Sequence, residues 1–247
     1  MRWLVAVLAL AACDRLLKLD DPHTPAGDAS QPPADIGLDA QPACTTVDFA
    51  DTFEGTDFPC STWGTVEGPT GWMVRANGQL AIQPTVGAAA FADCYTQLVP
   101  FGVAGAYGHV PSVGLNSSYG VIELFTYSSP AEAMNADTTM SFTDSDVAIY
   151  DQTTCNSGTC VPIKSVSYVA ADMQWFALVP VDGATALAAE YSRDGATWIE
   201  IGRRMLPPGE TASYAQVTIG GGGDGVTPNP TATRFDSINT CPGLPGS

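Results

Sequence analysis

Residues 186–202 read ALAAEYSRDGATWIEIG, and this stretch carries the clearest signal of the fold class. Asp194-Gly195 separates two runs that favour strands, Ala186–Ser192 and Trp198–Gly202. Asp-Gly in this position is a strong hairpin marker, because glycine adopts the positive φ angle that the tight turn needs. The stretch therefore predicts two antiparallel strands, with Asp194 capping backbone amides at the turn.

Short runs of the same kind recur on both sides of this hairpin. They are rich in valine, threonine, tyrosine and phenylalanine and recur about every 8–12 residues, which is typical of an all-β sandwich or barrel. A helical turn is predicted only over Ser129–Ala136, and Gly220–Gly223 is predicted to be a flexible connection. The other predicted strands are Val47–Phe53, Gln79–Gln83, Tyr95–Phe101, Gly120–Tyr127, Thr138–Phe142, Val147–Tyr150, Val161–Ser167, Gln174–Pro180, Tyr214–Ile219 and Thr233–Ile238.

Composition excludes two classes of protein. The 247 residues include 26 acidic and 9 basic side chains, for a formal net charge of −17. A chain this acidic is not expected to bind nucleic acid through its phosphates. It is 45% hydrophobic, so it is not a disordered acidic tail either. Twenty of the acidic and six of the basic residues lie in 44–247, so the acidity belongs mainly to the predicted folded domain.

The N-terminus has the features of an export signal. Residues 1–12 contain one arginine and a short apolar run, too short for the roughly 20 residues that span a bilayer. Leu10-Ala11-Ala12-Cys13 resembles the lipobox of bacterial lipoproteins. This resemblance implies that Cys13 is acylated and anchors the mature chain to a lipid bilayer of the cell envelope, on the periplasmic or outer-surface side. The alternative is an ordinary signal with a chance cysteine.

The next segment has the composition of a tether. Residues 13–43 contain five prolines and six aspartates and no aromatic residue, so they cannot bury a core. We expect an acidic, flexible linker here, followed by one domain over 44–247.

The six remaining cysteines predict disulfides, because an exported protein meets an oxidising environment. Six cysteines allow 15 pairings, and sequence alone does not choose among them. Cys155 and Cys160 bracket a predicted hairpin tip and favour a local bridge. If the first and last strands are neighbours, Cys44 could join Cys241, which leaves Cys60 with Cys94. The spacings do not match zinc sites, so no metal site is predicted from the cysteines.

A wider resemblance emerges from the order of several short motifs. Asp51-Thr52-Phe53-Glu54 opens the domain, Gly78-Gln79-Leu80-Ala81-Ile82 follows, and Arg234-Phe235-Asp236-Ser237-Ile238 comes after the Asp-Gly hairpin. In order and spacing the domain is similar to the concanavalin A-like, laminin-G-like jelly rolls of bacterial surface proteins. The resemblance implies a two-sheet antiparallel jelly-roll sandwich in which one concave sheet often meets sugars.

Catalytic motifs are sparse. The laminarinase-type hydrolases of the same superfamily carry Glu-x-Asp-x-x-Glu on one strand, and no such run exists here. Glu123 stands alone on its predicted strand, and Glu190 lies beside the hairpin turn. His109 has no nucleophile motif nearby, since Gly-x-Ser-x-Gly is absent. The sequence therefore predicts no enzyme, with a glycoside hydrolase of non-standard site as a minor alternative.

The expected ligand is an extracellular polysaccharide. Sugar-binding sheets use exposed aromatic faces, and Trp72, Tyr95 and Trp175 are the candidates. No cofactor is predicted. Structural Ca²⁺ at Asp144 and Asp146 is a weaker possibility than solvated turn aspartates, because the ordered EF-hand spacing is missing. The leading hypothesis is a monomeric, non-catalytic, carbohydrate-binding lipoprotein. The alternative is a structural or protein-interaction module without a glycan ligand.

Overall fold

The computed structural model describes residues 49–55, 63, 65–69, 72–87, 90–102, 104–155 and 160–240. The predicted signal, Cys13, the tether and three of the cysteines lie outside these ranges. Within them the chain forms antiparallel strands and one 3-10 turn, η1, over Gln152–Thr154. The strands are β1 Ala50–Asp51, β2 Thr65–Glu67, β3 Met73–Ala76, β4 Gln79–Ile82, β5 Ala90–Tyr95, β6 Val99–Pro100, β7 Ala106–His109, β8 Ser118–Tyr127, β9 Ala136–Phe142, β10 Asp146–Asp151, β11 Pro162–Ser167, β12 Trp175–Val181, β13 Ala186–Ser192, β14 Trp198–Met205, β15 Tyr214–Gly223, β16 Thr233–Phe235 and β17 Ser237–Asn239.

Two large sheets form the predicted jelly-roll sandwich. The first, here called the cleft sheet, has the order β11-β10-β9-β8-β15-β5-β2, with β6 paired to β15. The second, here called the outer sheet, has the order β1-β17-β7-β12-β13-β14, and a small third sheet joins β16, β4 and β3. The first and last strands of the described residues are neighbours, since Ala50 pairs with Asn239, which meets the condition set for a Cys44–Cys241 bridge.

The Asp-Gly hairpin is present as predicted. β13 pairs with β14 along its whole length, and Gly195 has a φ of +71° at the turn. Asp194 Oδ1 accepts hydrogen bonds from the backbone amides of Ala196 and Thr197, both at 2.9 Å. The aspartate therefore caps the turn, as expected from the residue types.

The hydrophobic core lies between the two large sheets. Phe142 of the cleft sheet stacks on Phe176 of the outer sheet, with ring centroids 4.7 Å apart and planes 8° from parallel. Both side chains are fully buried. A Cβ atom at Gly120 would lie 2.3 Å from the Phe142 ring, so only glycine leaves room for this ring on β8. Burying one such aromatic side chain contributes roughly 1.5–3 kcal/mol.

A buried aspartate fixes the start of the domain. The Asp51 carboxylate pairs with Arg75 and accepts a hydrogen bond from Trp63 Nε1 at 2.8 Å. It also accepts from the backbone amide of Phe53 at 2.8 Å. A buried charge is tolerated only when it is paired and hydrogen-bonded in this way. Asp51 therefore links β1 to β3, two strands that are separated in the sequence.

One predicted disulfide is visible directly. Cys155 and Cys160 are bonded to each other next to η1. Cys94 is fully buried and also disulfide-bonded, and its partner lies outside the described residues. Cys44, Cys60 and Cys241 lie there too, so the other two pairings stay predictions.

Two local predictions are wrong. Gly220–Gly223 is the second half of strand β15, which pairs with β8 and β5 on its two sides, and is not a flexible connection. Ladder hydrogen bonds from both neighbours outweigh the low strand propensity of glycine. Ser129–Ala136 contains only a turn, with Glu132 N bonded to Ser129 O, and no helix. No helix in the described part of the chain is long or apolar enough to cross a bilayer.

We predict that Gly221→Ala destabilises the domain, because its Cβ would lie 2.5 Å from the carbonyl oxygen of Tyr119 in the neighbouring strand. Overpacking of this kind costs about 1–3 kcal/mol. Gly102→Ala is the matched control, because its nearest neighbour would be 3.7 Å away. Urea unfolding of both variants checks the prediction. Equal stability of the two variants would contradict it.

Candidate active site

A cleft of about 510 Å³ lies on the face of the cleft sheet that points away from the core. Strands β5, β8, β9 and β10 contribute side chains to its lining, and β15 lies between β5 and β8. The lining includes Phe91, Tyr119, Glu123, Asp137, Thr139 and Tyr150.

The alternation of side chains along β8 places Glu123 in this cleft. Ile122 and Leu124 are fully buried in the core, so the residue between them points to the opposite face. Cross-strand pairing places Glu123 in a row of side chains that runs across the strands, here called the transverse row. On one side it faces Thr218 and then Tyr95, and on the other it faces Thr139 and then Tyr150. The cleft floor is therefore polar and aromatic.

Two carboxyl groups meet at the centre of the cleft. Glu123 on β8 and Asp137 on β9 are diagonal neighbours, because Glu123 pairs with Thr139, and their side chains are within hydrogen-bonding distance. Burial raises the pKa of Glu123 to about 8, with a further contribution from the Asp137 charge. Burial also raises the pKa of Asp137, while the proton of Glu123 and the nearby Arg204 lower it. At neutral pH Glu123 therefore holds the proton that the pair shares.

The unsatisfied oxygen of Asp137 supports this assignment of the proton, although the hydrogen bond from Thr139 favours the charged form of Glu123. Thr139 Oγ1 donates to Glu123 Oε1 at 2.8 Å. Asp137 Oδ1 is buried and has no other hydrogen-bond partner among the described residues, so a protonated Glu123 supplies its donor. A buried carboxylate oxygen without a donor would be costly, which favours the shared proton.

A buried arginine from the outer sheet supports the pair from below. Arg204 on β14 is only 4% exposed and donates to the carbonyl oxygen of Asp137 at 3.0 Å and to Thr138 Oγ1 at 2.7 Å. Its other nitrogen pairs with Asp151 at 2.6 Å. Arg204 therefore ties β14 to the ends of β9 and β10 directly beneath the cleft.

Aromatic rings form one wall of the cleft. The rings of Phe91 and Tyr119 lie nearly parallel, 14° apart, with centroids separated by 6.3 Å. They flank Gly222 on β15, where a Cβ would lie 2.5 Å from the Tyr119 hydroxyl. The glycines of β15 thus leave the space that the two rings occupy.

A third carboxyl group lies on the same face of the sheet. Asp93 lies on β5 between Phe91 and Tyr95, and alternation puts all three side chains on one face. A Cβ at Gly220 would lie 2.5 Å from the Phe91 ring and 2.9 Å from Asp93 Cβ, which confirms that face. Asp93 is therefore separated from Glu123 by strand β15 alone.

The three aromatic residues chosen from the sequence are not brought together. Trp72 is only 3% exposed and donates Nε1–H to Thr85, so the prediction that it is accessible is wrong. Trp175 lies on the outer sheet, stacked on His109 at 4.4 Å. Tyr95 alone belongs to the transverse row through Glu123.

The other acidic candidates lie elsewhere. Glu190 is 3% exposed on the outer sheet, where burial and the Glu200 charge raise its pKa to about 7. His109 forms a 3.0 Å contact with Asp236 and is half-buried, in keeping with a histidine at the edge of the core. Asp146 accepts a hydrogen bond from Thr143 in its own turn, and the described residues contain no cluster that could hold a metal ion.

Asp137 and Asp93 are the residues that reasoning from sequence missed. Both belong to strand segments, but their partners are set by the pairing of β9 with β8 and of β5 with β15. Half-polar alternation in Ala136–Phe142 was the available signal, since Asp137 and Ser141 alternate with buried residues. Spacing along the chain does not reveal such cross-strand neighbours.

Comparisons with known proteins identify the fold. No protein-family model matches the sequence, and no curated protein matches it. Solved structures do match. The laminarinase from Rhodothermus marinus is 13% identical, with a TM-score of 0.55, over 79% of this chain and 96% of the enzyme. SCLam, a non-specific endo-β-1,3(4)-glucanase from family GH16, is 11% identical, with a TM-score of 0.55, over 78% and 89%. LamAcat from Zobellia galactanivorans is 9% identical, with a TM-score of 0.52, over 80% and 98%.

These comparisons establish the concanavalin A-like jelly-roll sandwich and correct one prediction. The prediction of a non-catalytic, carbohydrate-binding domain that is not an enzyme is contradicted, because structures sharing the fold over most of its length are polysaccharide-cleaving enzymes. The prediction rested on the missing Glu-x-Asp-x-x-Glu run. It failed because carboxyl groups on different strands can share one cleft.

The raised pKa of Glu123 predicts a pH dependence of stability. Below the ordinary pKa of 4.5 both the folded and the unfolded states hold the proton, so the stability contributed by this group is fully present and does not change with pH. Between 4.5 and about 8 only the folded state retains it, so the free energy of unfolding falls as pH rises. Glu123→Gln should therefore flatten the decline in stability between pH 5 and pH 8.

Denaturant unfolding of the wild type and the variant at several pH values measures this effect. Glu190 contributes a decline of the same sign in both proteins, so the difference between them reports the Glu123–Asp137 pair. Parallel stability curves for the two proteins would contradict the assignment.

Proposed function

We propose that the domain is a glycoside hydrolase that cleaves an uncharged polysaccharide in the cleft around Glu123. The observation that carries the proposal is the Glu123–Asp137 carboxyl pair, buried at the centre of an aromatic-walled cleft. The structural similarity to glucanases supports the same reaction class, because the chain shares its fold with those enzymes over most of their length.

Glu123 is the proposed general acid. Glycoside hydrolysis requires a protonated carboxyl group that gives its proton to the leaving glycosidic oxygen. A pKa of about 8 keeps Glu123 protonated at neutral pH, and transfer is efficient when the pKa lies near the working pH. Once the proton has left, Asp137 and Glu123 would both be charged, which favours rapid reprotonation of the pair.

Asp93 is the proposed second carboxylate. A hydrolase needs a carboxylate on the opposite side of the sugar ring, as nucleophile or as the base that activates water. Glu123 and Asp137 are too close together for that arrangement, since they share one proton. Asp93 lies on the same face of the sheet as Glu123, and only Gly220 and Thr218 of β15 lie between them, so a sugar ring could lie between the two groups.

The charge of the cleft favours a neutral substrate. Among the residues that the structure describes, the side chains lining the cleft include Glu123 and Asp137 and no lysine or arginine. A sulfated or uronic-acid chain would meet carboxyl groups without a compensating cation, which is unfavourable in a partly buried site. We therefore propose a β-1,3- or mixed β-1,3/1,4-linked glucan, the class named for SCLam.

Reducing-end assays test this proposal on the full chain. Laminarin and mixed-linkage β-glucan should be hydrolysed, with kcat/KM declining above about pH 8 as Glu123 loses its proton. Glu123→Gln and Asp93→Asn should lower kcat by at least about 100-fold. Glu132→Gln, at an exposed turn outside the cleft, is the matched control and should retain activity.

The variants must retain the melting temperature of the wild type within a few degrees for this comparison. Folded wild-type protein that cleaves neither neutral glucan, or a Glu123→Gln variant with full activity, would overturn the proposal.

We also propose that Cys13 is acylated and that residues 13–43 tether the domain outside the cell membrane. The lipobox-like run and the acidic, proline-rich composition support this location, in which a hydrolase would reach large external polysaccharides. One acyl chain anchors only marginally and two or more anchor stably. Radiolabelled palmitate should label the wild type and not Cys13→Ala. Equal labelling of the two would contradict the anchor.

A further inference from the structure

A disulfide-bonded turn contacts the carboxyl pair through two polar side chains. Gln152, the first residue of η1, donates from Nε2 to Thr139 Oγ1 at 3.0 Å, and Thr139 donates to Glu123 Oε1 at 2.8 Å. On its other side Gln152 Oε1 lies 3.0 Å from the sulfur of Cys155 and 3.3 Å from that of Cys160. The contacts thus run without a break from the disulfide to Glu123.

The direction of these hydrogen bonds is fixed by the groups involved. A threonine hydroxyl has one proton, and the Gln152 amide can only donate to it from nitrogen. Because Thr139 accepts from Gln152, its own proton is free to point at Glu123. Oε1 of Glu123 is then an acceptor, so the acid proton belongs on the other oxygen, Oε2.

The disulfide restrains the side chain of Gln152, which sets the direction of the hydrogen bonds to Thr139 and Glu123. Glutamine has considerable rotamer freedom, and ordering it costs up to about 2 kcal/mol. The backbone of Cys155 bonds to Gln152 O at 3.1 Å, and both sulfurs pack against the amide oxygen. Asp151, the residue before Gln152, is held by Arg204. The turn is therefore fixed at both its start and its sulfur bridge.

We propose that the Cys155–Cys160 disulfide and Gln152 form a positioning relay that places the acid proton of Glu123 on Oε2, so that opening the disulfide impairs the site. This inference rests on the proposed hydrolase for its catalytic consequence, but the position of the proton can be measured without any substrate. Opening by a dithiol breaks the S–S bond. Two electrons and two protons pass to the sulfurs as two thiols, and the dithiol becomes a cyclic disulfide.

The primary test is a carboxyl ¹³C NMR titration of Glu123 in the full chain, with its signal assigned by its absence from Glu123→Gln. The Thr139 hydrogen bond favours the charged form of Glu123. Loss of the relay in Gln152→Leu should therefore raise its measured pKa by about 0.5–1. Gln216→Leu is the matched control, because its amide bonds to Thr96 O and does not contact Thr139, and it should leave this pKa unchanged.

The disulfide is tested with the double variant Cys155→Ser, Cys160→Ser, which leaves Cys94 and its bridge intact. It should raise the pKa of Glu123 as Gln152→Leu does, and the two changes combined should not add, because they remove one relay. An unchanged pKa in both variants would overturn the proposal, as would fully additive shifts. Unfolding curves at pH 5 confirm that each variant is folded.

Activity provides a separate readout. In a protein that hydrolyses glucan, Gln152→Leu should lower kcat about tenfold with little change in KM, because substrate contacts remain and only the proton is misplaced. A pKa shift without any hydrolysis by the wild type would support the relay and reject the hydrolase. Hydrolysis with an unchanged pKa in Gln152→Leu would support the hydrolase and reject the relay.

Discussion

The strict alternation of side chains along the central strands of the cleft sheet governs the rest of the structure. On β8, Ile122 and Leu124 enter the core while Glu123 between them enters the cleft, and β9 and β15 alternate in the same register. A slip of one residue would exchange the two faces. The stacking of Phe142 on Phe176 and the fit of that ring against Gly120 fix the register from the core side. Packing of the core therefore also determines which carboxyl groups meet.

The site combines residues that are far apart in sequence because strand pairing places them on one face of the sheet. Glu123, Asp137 and Asp93 come from three strands, and the buried Arg204 contacts the Asp137 backbone from the other sheet. Each carboxyl group alone would be an ordinary surface acid. Because the two carboxyl groups of the Glu123–Asp137 pair are buried together, they share one proton. The same burial raises the pKa of Glu123, so that this proton can be donated near neutral pH.

Sequence reasoning captured the parts of this molecule that depend on local chemistry. The Asp194-Gly195 turn, most strand positions, the sandwich and the Cys155–Cys160 bridge follow from turn residues, alternation and short spacing. No short stretch of sequence determines which distant strands pair with each other. The contact of Glu123 with Asp137 and the burial of Trp72 therefore escaped prediction. Gly220–Gly223 was misjudged for the same reason, since its order comes from its neighbours.

Those four glycines have a consequence for how the cleft comes into being. Glycine loses more backbone freedom on folding than any other residue, so this part of β15 has little intrinsic tendency to be a strand. Its order depends on β5 and β8 being in place on both sides, and on the rings of Phe91 and Tyr119 that cover it. Of all parts of the sheet, this one therefore has the least tendency to form in an isolated segment. It takes shape only with the whole sandwich, which links the integrity of the site to the cooperative folding of the domain.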